Sequence, residues 1–293
     1  MPHSLKTSLI TIRIALLTVI YFICFAVVSA MLLRVPSEQA ASSESSGAVA
    51  ALLGVSLLNT SVLAYLILRS RWTGWKLTVA IFFVLYGVTT VMPQIETAFF
   101  VTRVPPGLLP RLFLAGALFG MLYSPIAVLV LGKGKRNAAK EDGPRLGMPT
   151  GEWAVKLSLI AIAYLVIYFT FGYYIAWQNA AVRAYYGGSD PGSLLAQMTA
   201  VANDTPWLVP LQIARAFMWT AIAVPVIRMM KGERWEAGLA VALLFAVVMN
   251  SQLLLPNALM PQEVRMVHLV ETAASNFLFG WLVALVLLWR CRE

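Results

Sequence analysis

Arg69-Ser-Arg-Trp-Thr-Gly-Trp75 is a basic turn, and the residues that follow it, 76–91 (KLTVAIFFVLYGVTTV), are apolar almost throughout. The pattern recurs at Arg228-Met-Met-Lys-Gly-Glu-Arg234, followed by Trp235 and then by 236–248 (EAGLAVALLFAVV). A basic turn, a tryptophan and a long apolar run together mark the point where a chain re-enters a membrane. Tryptophan settles at headgroup level, and Lys and Arg gather in the loops kept inside.

Outward from these two stretches the chain contains eight apolar runs, at about 9–33, 47–68, 76–95, 110–132, 154–177, 207–228, 236–256 and 265–289. A helix needs ~20 apolar residues to cross the hydrocarbon core, and each run is long enough. The runs are continuously apolar rather than alternating, which selects helices over a β-barrel. With 60% hydrophobic and 12% charged residues, the composition departs from the ~25% charge of soluble domains. The expected fold is therefore an all-α polytopic membrane protein with eight transmembrane helices.

The net charge of +9 raises nucleic-acid binding, but the placement of the charges argues against it. Lys6 and Arg13 flank span 1; Arg69, Arg71 and Lys76 lie between spans 2 and 3; Lys133, Lys135, Arg136, Lys140 and Arg145 lie between spans 4 and 5. Arg228, Lys231 and Arg234 lie between spans 6 and 7, and Arg290 and Arg292 follow span 8. The intervening loops carry Glu38, Glu44, Asp190 and Asp204. Every second loop is basic, so the chain is expected to have both termini cytoplasmic. Its expected partner is membrane lipid rather than nucleic acid. Short loops and the lack of a targeting segment point to a plasma membrane, the inner membrane of a prokaryote. Span 1 has the positive start of a signal peptide, but its apolar stretch exceeds the usual h-region of about 7–15 residues, so it reads as a retained helix. Cys24, mid-span, and Cys291, near the inner end, are too far apart in depth to pair.

The recurrence at Trp75 and Trp235 extends further. Ile20-Tyr21-Phe22 has a counterpart in Ile167-Tyr168-Phe169, and Arg111 and Arg265 each open the last span of a half. The chain is expected to be a parallel four-plus-four repeat, with residues 1–132 and 154–293 as the repeated units. Residues 133–153, polar and rich in Gly and Pro, would be the cytoplasmic linker. Residues 34–46 read as an outer loop, and 178–206 as a longer one with a surface helix near 194–202. After spans 3 and 7 come Pro93, Pro105, Pro106, Pro256 and Pro261 among mixed polar and apolar residues. Proline ends or kinks helices, so each segment is either an ordinary helix end or a broken helix lining a cavity.

The candidate site rests on depth. Counting ~1.5 Å per residue from Arg228 places Arg215 ~20 Å across, and Gln212, Arg215 and Trp219 share one face of span 6. In span 8, Arg265, His268, Glu271, Thr272 and Ser275 fall within one arc, opposite Leu269, Val270, Ala273, Ala274 and Phe277. Glu96, Asn250 and Gln252 reach a similar outer depth, and Arg111 opens span 4. The expected ligand-binding set is Arg215, Gln212, Glu271, His268, Arg265, Glu96, Arg111, Asn250 and Gln252, around an outward-facing polar cavity. The expected ligand is a small anionic molecule or a lipid headgroup, to be bound or transported.

His268 and Glu271, spaced to share a helical face, also suit acid–base chemistry on lipid. The only other histidine is His3, so neither a multi-histidine metal site nor any cofactor is expected. The Glu-Glu-x-x-x-Arg motif and paired histidines of intramembrane CAAX-type endopeptidases, also eight-helix proteins, are absent. A third reading treats the stripe as packing in a non-catalytic scaffold or sensor subunit. Asn59, Thr60 and Ser61, mid-membrane in span 2, read as helix-to-helix hydrogen bonding rather than ligand contacts.

Overall fold

A computed structural model describes residues 3–33, 45–101, 104–135, 146–190, 192–256 and 259–289. The outer loop with Glu38 and Glu44, linker residues 136–145 with Arg136, Lys140 and Arg145, and Arg290, Cys291 and Arg292 lie outside the described residues. Helices run α1 His3–Leu32, α2 Ser45–Arg69, α3 Gly74–Tyr86, α4 Met92–Phe100, α5 Leu108–Val130 and α6 Thr150–Phe171. There follow α7 Ala180–Tyr186, α8 Leu194–Asp204, α9 Leu208–Met229, α10 Arg234–Leu243 and α11 Gln262–Leu288.

Eight helical stretches are long and apolar enough to cross a membrane: Thr7–Leu32, Gly47–Arg69, Gly74–Phe100, Leu108–Val130, Thr150–Ala176, Leu208–Met229, Arg234–Leu254 and Gln262–Leu288. The spans expected from hydropathy are present, with ends shifted by a few residues. On α1 the reason is visible residue by residue. Ile12, Leu16, Val19, Ile23 and Val27 face outward at helical spacing while Leu17, Tyr21 and Val28 are buried. Apolar side chains on both faces are what a helix between protein and lipid requires.

The chain forms two compact units. The first takes residues up to Gly143 together with Met229–Lys231 and Val247–Leu259; the second takes Pro144–Arg228, Gly232–Ala246 and Met260 onward. Span 7 is thus divided, its start in the second unit and its last turns in the first.

In the first unit, Tyr21 meets Phe119 and Tyr123 edge-on at 4.8 and 5.0 Å. Asn59 Nδ2 donates to Tyr21 Oη at 2.8 Å, and Ser251 Oγ donates to Asn59 Oδ1 at 2.9 Å. Thr60 and Tyr123 share a hydroxyl–hydroxyl bond of 3.0 Å. Asn59 and Thr60 are therefore the interhelical links expected of them, whereas Ser61 bonds only its own helix, at Leu57 O.

In span 3, Pro93 disturbs the helix without ending it. The helix does not end at Pro93 but widens into a π-turn, Gly87–Val91, and continues as α4 to Phe100. Pro93 has no N–H to offer the Thr89 carbonyl four residues earlier. Gln252 Nε2 fills that role from span 7, donating to Thr89 O at 2.9 Å. Span 7 itself turns π at Leu244–Val248 and then tightens into a 3₁₀ turn, Asn250–Leu254, before Pro256. Replacing Gln252 by leucine removes this donor from a buried carbonyl, a loss of about 1–3 kcal/mol. Pro93→Ala in the same protein restores a backbone donor and is expected to recover part of it. Thermal midpoints of the single and double variants in detergent check the pair, and no recovery would sink the explanation.

In the second unit Tyr164 packs on Phe279 at 4.7 Å, and Phe245 lies between Phe279 and Trp219, at 6.3 and 4.3 Å. Trp219 Nε1 points at Tyr164 Oη, 3.4 Å away. Lys156, nearly fully buried, donates to Leu287 O at 3.2 Å and Trp289 O at 2.7 Å. It thereby satisfies two carbonyls at the C-terminal end of α11. The surface helix expected near 194–202 is α8, capped by Ser193 Oγ on Ala196 N and without a buried residue.

Candidate functional site

α9 presents Gln212, Arg215 and Trp219 on its buried face, at 0%, 2% and 0% exposure. Arg215 Nη1 donates to Gln212 Oε1 at 2.9 Å, and its guanidinium lies 5.9 Å from the centre of the Tyr164 ring. Arginine has only donors, so this bond fixes which end of the Gln212 amide faces it. The other end, Nε2, is a buried donor without an acceptor among the described residues. Two donor groups therefore sit side by side inside the second unit.

α11 supplies a second cluster. Pro261 precedes the helix and its carbonyl accepts from Arg265 N at 3.0 Å, so the polar stripe starts within the first turn. Arg265 and Glu271 are buried, while Val270 and Phe277 on the opposite side are exposed. Glu271 Oε2 lies 2.7 Å from His268 Nδ1, and the second ring nitrogen, Nε2, lies 3.2 Å from Tyr186 Oη. A carboxylate on one ring nitrogen fixes the tautomer and leaves the other facing the phenol. Gly172 opens a π-turn, Gly172–Ala176, beside this carboxylate, since a Cβ there would come 3.7 Å from Glu271 Oε1. The hydroxyls of Thr272 and Ser275, also on the stripe, donate to their own helix at His268 O and Thr272 O.

The sequence-derived residues are divided between the two units. Gln212 touches Arg215, and His268 touches Glu271, with Arg265 buried on the same helix, all in the second unit. Glu96, Arg111, Asn250 and Gln252 belong to the first unit. There Arg111 is exposed, Glu96 half-buried, Asn250 buried, and Gln252 occupied with Thr89. Among the described residues no three His, Cys, Asp or Glu side chains gather as metal ligands.

Two partners escape a reading of the sequence. Tyr164 is an ordinary aromatic in an apolar span, and Tyr186 stands in Arg183-Ala-Tyr-Tyr-Gly-Gly, a stretch that reads as a turn. Its first residues, through Tyr186, belong to α7, which is capped by Asn179 Oδ1 on Ala181 N and Val182 N and closed by Gly187 at φ 71°. The cap and the glycine are the local signal that was available.

The described residues fold without strands, and their eight long apolar helices are those of a multi-pass membrane protein. No protein-family model matches the chain, and no curated protein or solved structure matches it either.

Proposed function

We propose that this is a plasma-membrane protein, in a prokaryote the inner membrane, with both termini cytoplasmic. In this reading it binds, and on binding transports, a small anionic molecule or lipid headgroup within its second unit. One observation carries the reading: the buried Gln212–Arg215 pair, whose amide is turned so that a donor faces inward beside the guanidinium. A buried donor left unmatched costs about 1–3 kcal/mol. A carboxylate or phosphate oxygen would satisfy the amide while its charge complements the guanidinium beside it. Arg265 and His268 would add donors, and Glu271 would take up a proton if movement of the ligand is proton-coupled.

A parallel four-plus-four repeat supports the placement. Residues 160 positions apart occupy like settings in the two units. Asn59 and Trp219 each point a donor at a tyrosine of the first span of their unit, Tyr21 and Tyr164, and Phe119 and Phe279 each face that same tyrosine. Matched this way, Tyr21 pairs with Tyr164 rather than Tyr168, one helical turn from the alignment of Ile20-Tyr21-Phe22. Gln212 and Arg215 then stand where the first unit has Leu52 and Val55. The shared fold is built without polar residues at those positions, so function is the better reason for them.

Native mass spectra of the full chain released from detergent, beside Arg215→Ala, test the proposal. Wild type is expected to carry a discrete adduct that the variant lacks. Identical bare spectra would overturn it and favour a scaffold or sensor subunit.

The chain Glu271–His268–Tyr186 favours a second reading, an enzyme acting on lipid with His268 as base. Turnover of lipid that disappears in His268→Ala, with the adduct retained, would decide for it.

A further inference from the structure

Within the second unit, α10 and α11 meet closely and also border a groove. A Cβ at Gly280 would lie 2.9 Å from Ala242 Cα, and one at Gly238 would lie 3.4 Å from the Trp281 ring. About two turns from Ala242, toward the start of α10, the helices border a cavity of about 330 Å³. Arg234 of α10 and Leu285, Val286, Leu288 and Trp289 of α11 and its C-cap line it.

The α11 wall is held in place although its side chains are uncovered. Lys156 Nζ donates to Leu287 O and Trp289 O, at 3.2 and 2.7 Å, which fixes the last turn. Trp289 then leaves the helix with ψ 125°. Leu285 and Trp289 are nonetheless 50% and 59% exposed, and Arg234 is exposed too. Glu233 and Glu236 stand in the same turn as Arg234, but neither lines the groove, and Glu236 Oε2 lies against Gly232. The lining is therefore one guanidinium and four apolar side chains.

The groove lies at the ends of two membrane-crossing stretches, Arg234–Leu254 and Gln262–Leu288. Hydrocarbon gives way to headgroups at such ends, and tryptophan and arginine settle there. Membrane orientation alone accounts for a basic residue at a span end. It does not account for a guanidinium on the rim of an apolar groove shared with another helix.

We propose that this groove holds one phospholipid of the surrounding bilayer, with its phosphate diester on Arg234 and an acyl chain against Leu285, Val286, Leu288 and Trp289. The guanidinium fork matches two phosphate oxygens. The volume is at the low end of small-molecule sites, about 300–1,000 Å³, so the groove takes part of the lipid and leaves the rest in the bilayer. The site shares no residue with the Gln212–Arg215 cluster and does not depend on the reading of that cluster.

The test is native mass spectrometry of the full chain released from nanodiscs of mixed phosphatidylethanolamine and phosphatidylglycerol. Wild type is expected to keep one phospholipid after the others are stripped. Arg234→Gln should reduce its retention about fivefold, and Val286→Phe, which fills the groove and keeps the charge, should reduce it at least as much. Arg234 is exposed, so its variant is expected to fold, and an unchanged thermal midpoint checks this. Lys135→Gln, at another exposed basic residue, should retain lipid as wild type does. An adduct kept by Arg215→Ala and lost by Arg234→Gln belongs to this groove and not to the Gln212–Arg215 cluster. Retention of either lipid with this dependence supports the site. No retained lipid, or retention unchanged in either groove variant, would overturn it. A dimer without lipid that Leu285→Ser dissociates would also overturn it, because a second copy would then occupy the groove.

Discussion

Gly280→Val is expected to give little or no monodisperse protein, and Gly280→Ala to lose about 1–3 kcal/mol of stability. A Cβ at Gly280 would lie 2.9 Å from both Ala242 Cα and Val241 O, and 3.0 Å from Ala242 N. These are backbone atoms of α10, which cannot swing aside as a side chain can. α11 would have to retreat as a body, and Phe279 would be drawn off Tyr164 and Phe245. Valine adds a branched Cβ with little rotamer freedom. Gly120, in α5 of the first unit, offers a contrast. Its Cβ would meet the Phe82 ring at 3.0 and 3.2 Å, and an aromatic ring at the end of a side chain can turn. Gly120→Ala should therefore be the milder change. Yield on size exclusion and the thermal midpoint in detergent measure both, and a Gly280→Val protein indistinguishable from wild type would show that the two helices are not in backbone contact.

Glu271→Ala is expected to cost about 2–4 kcal/mol. The carboxylate and the imidazole are both mostly buried, with side chains 11% and 17% exposed, and only 2.7 Å separates Nδ1 from Oε2. Removing the carboxylate leaves His268 without the partner that sets its tautomer. The contact from Nε2 to Tyr186 then weakens, and with it the tie between α7 and α11. Limited proteolysis in the stretch around α7 should accelerate, and the unfolding midpoint should fall. Adding His268→Phe to Glu271→Ala removes the stranded partner and is expected to recover most of the loss. Glu271→Gln keeps an acceptor at the same place and should be nearly neutral for stability. A Glu271→Gln protein that is stable but has lost turnover would move the weight to the acid–base reading.

The eight spans could be read from the sequence because membrane-crossing length and apolarity are properties of consecutive residues. The same holds for the interhelical role of Asn59 and Thr60, since a polar group in mid-span has few partners other than another helix. The buried stripe of α11 was also legible, because residues three and four apart share a face whatever that face meets.

What the stripe meets was settled only in three dimensions. His268 and Tyr186 are 82 positions apart, and no local pattern says that a short capped helix in a turn will return a phenol to an imidazole. The proline signal at Pro93 was read as a break because the donor that makes continuity possible, Gln252, lies 159 positions further on. Local composition determines where the chain can lie in a membrane. Hydrogen bonds and charge contacts between distant residues depend on packing, and packing decided which polar groups became partners.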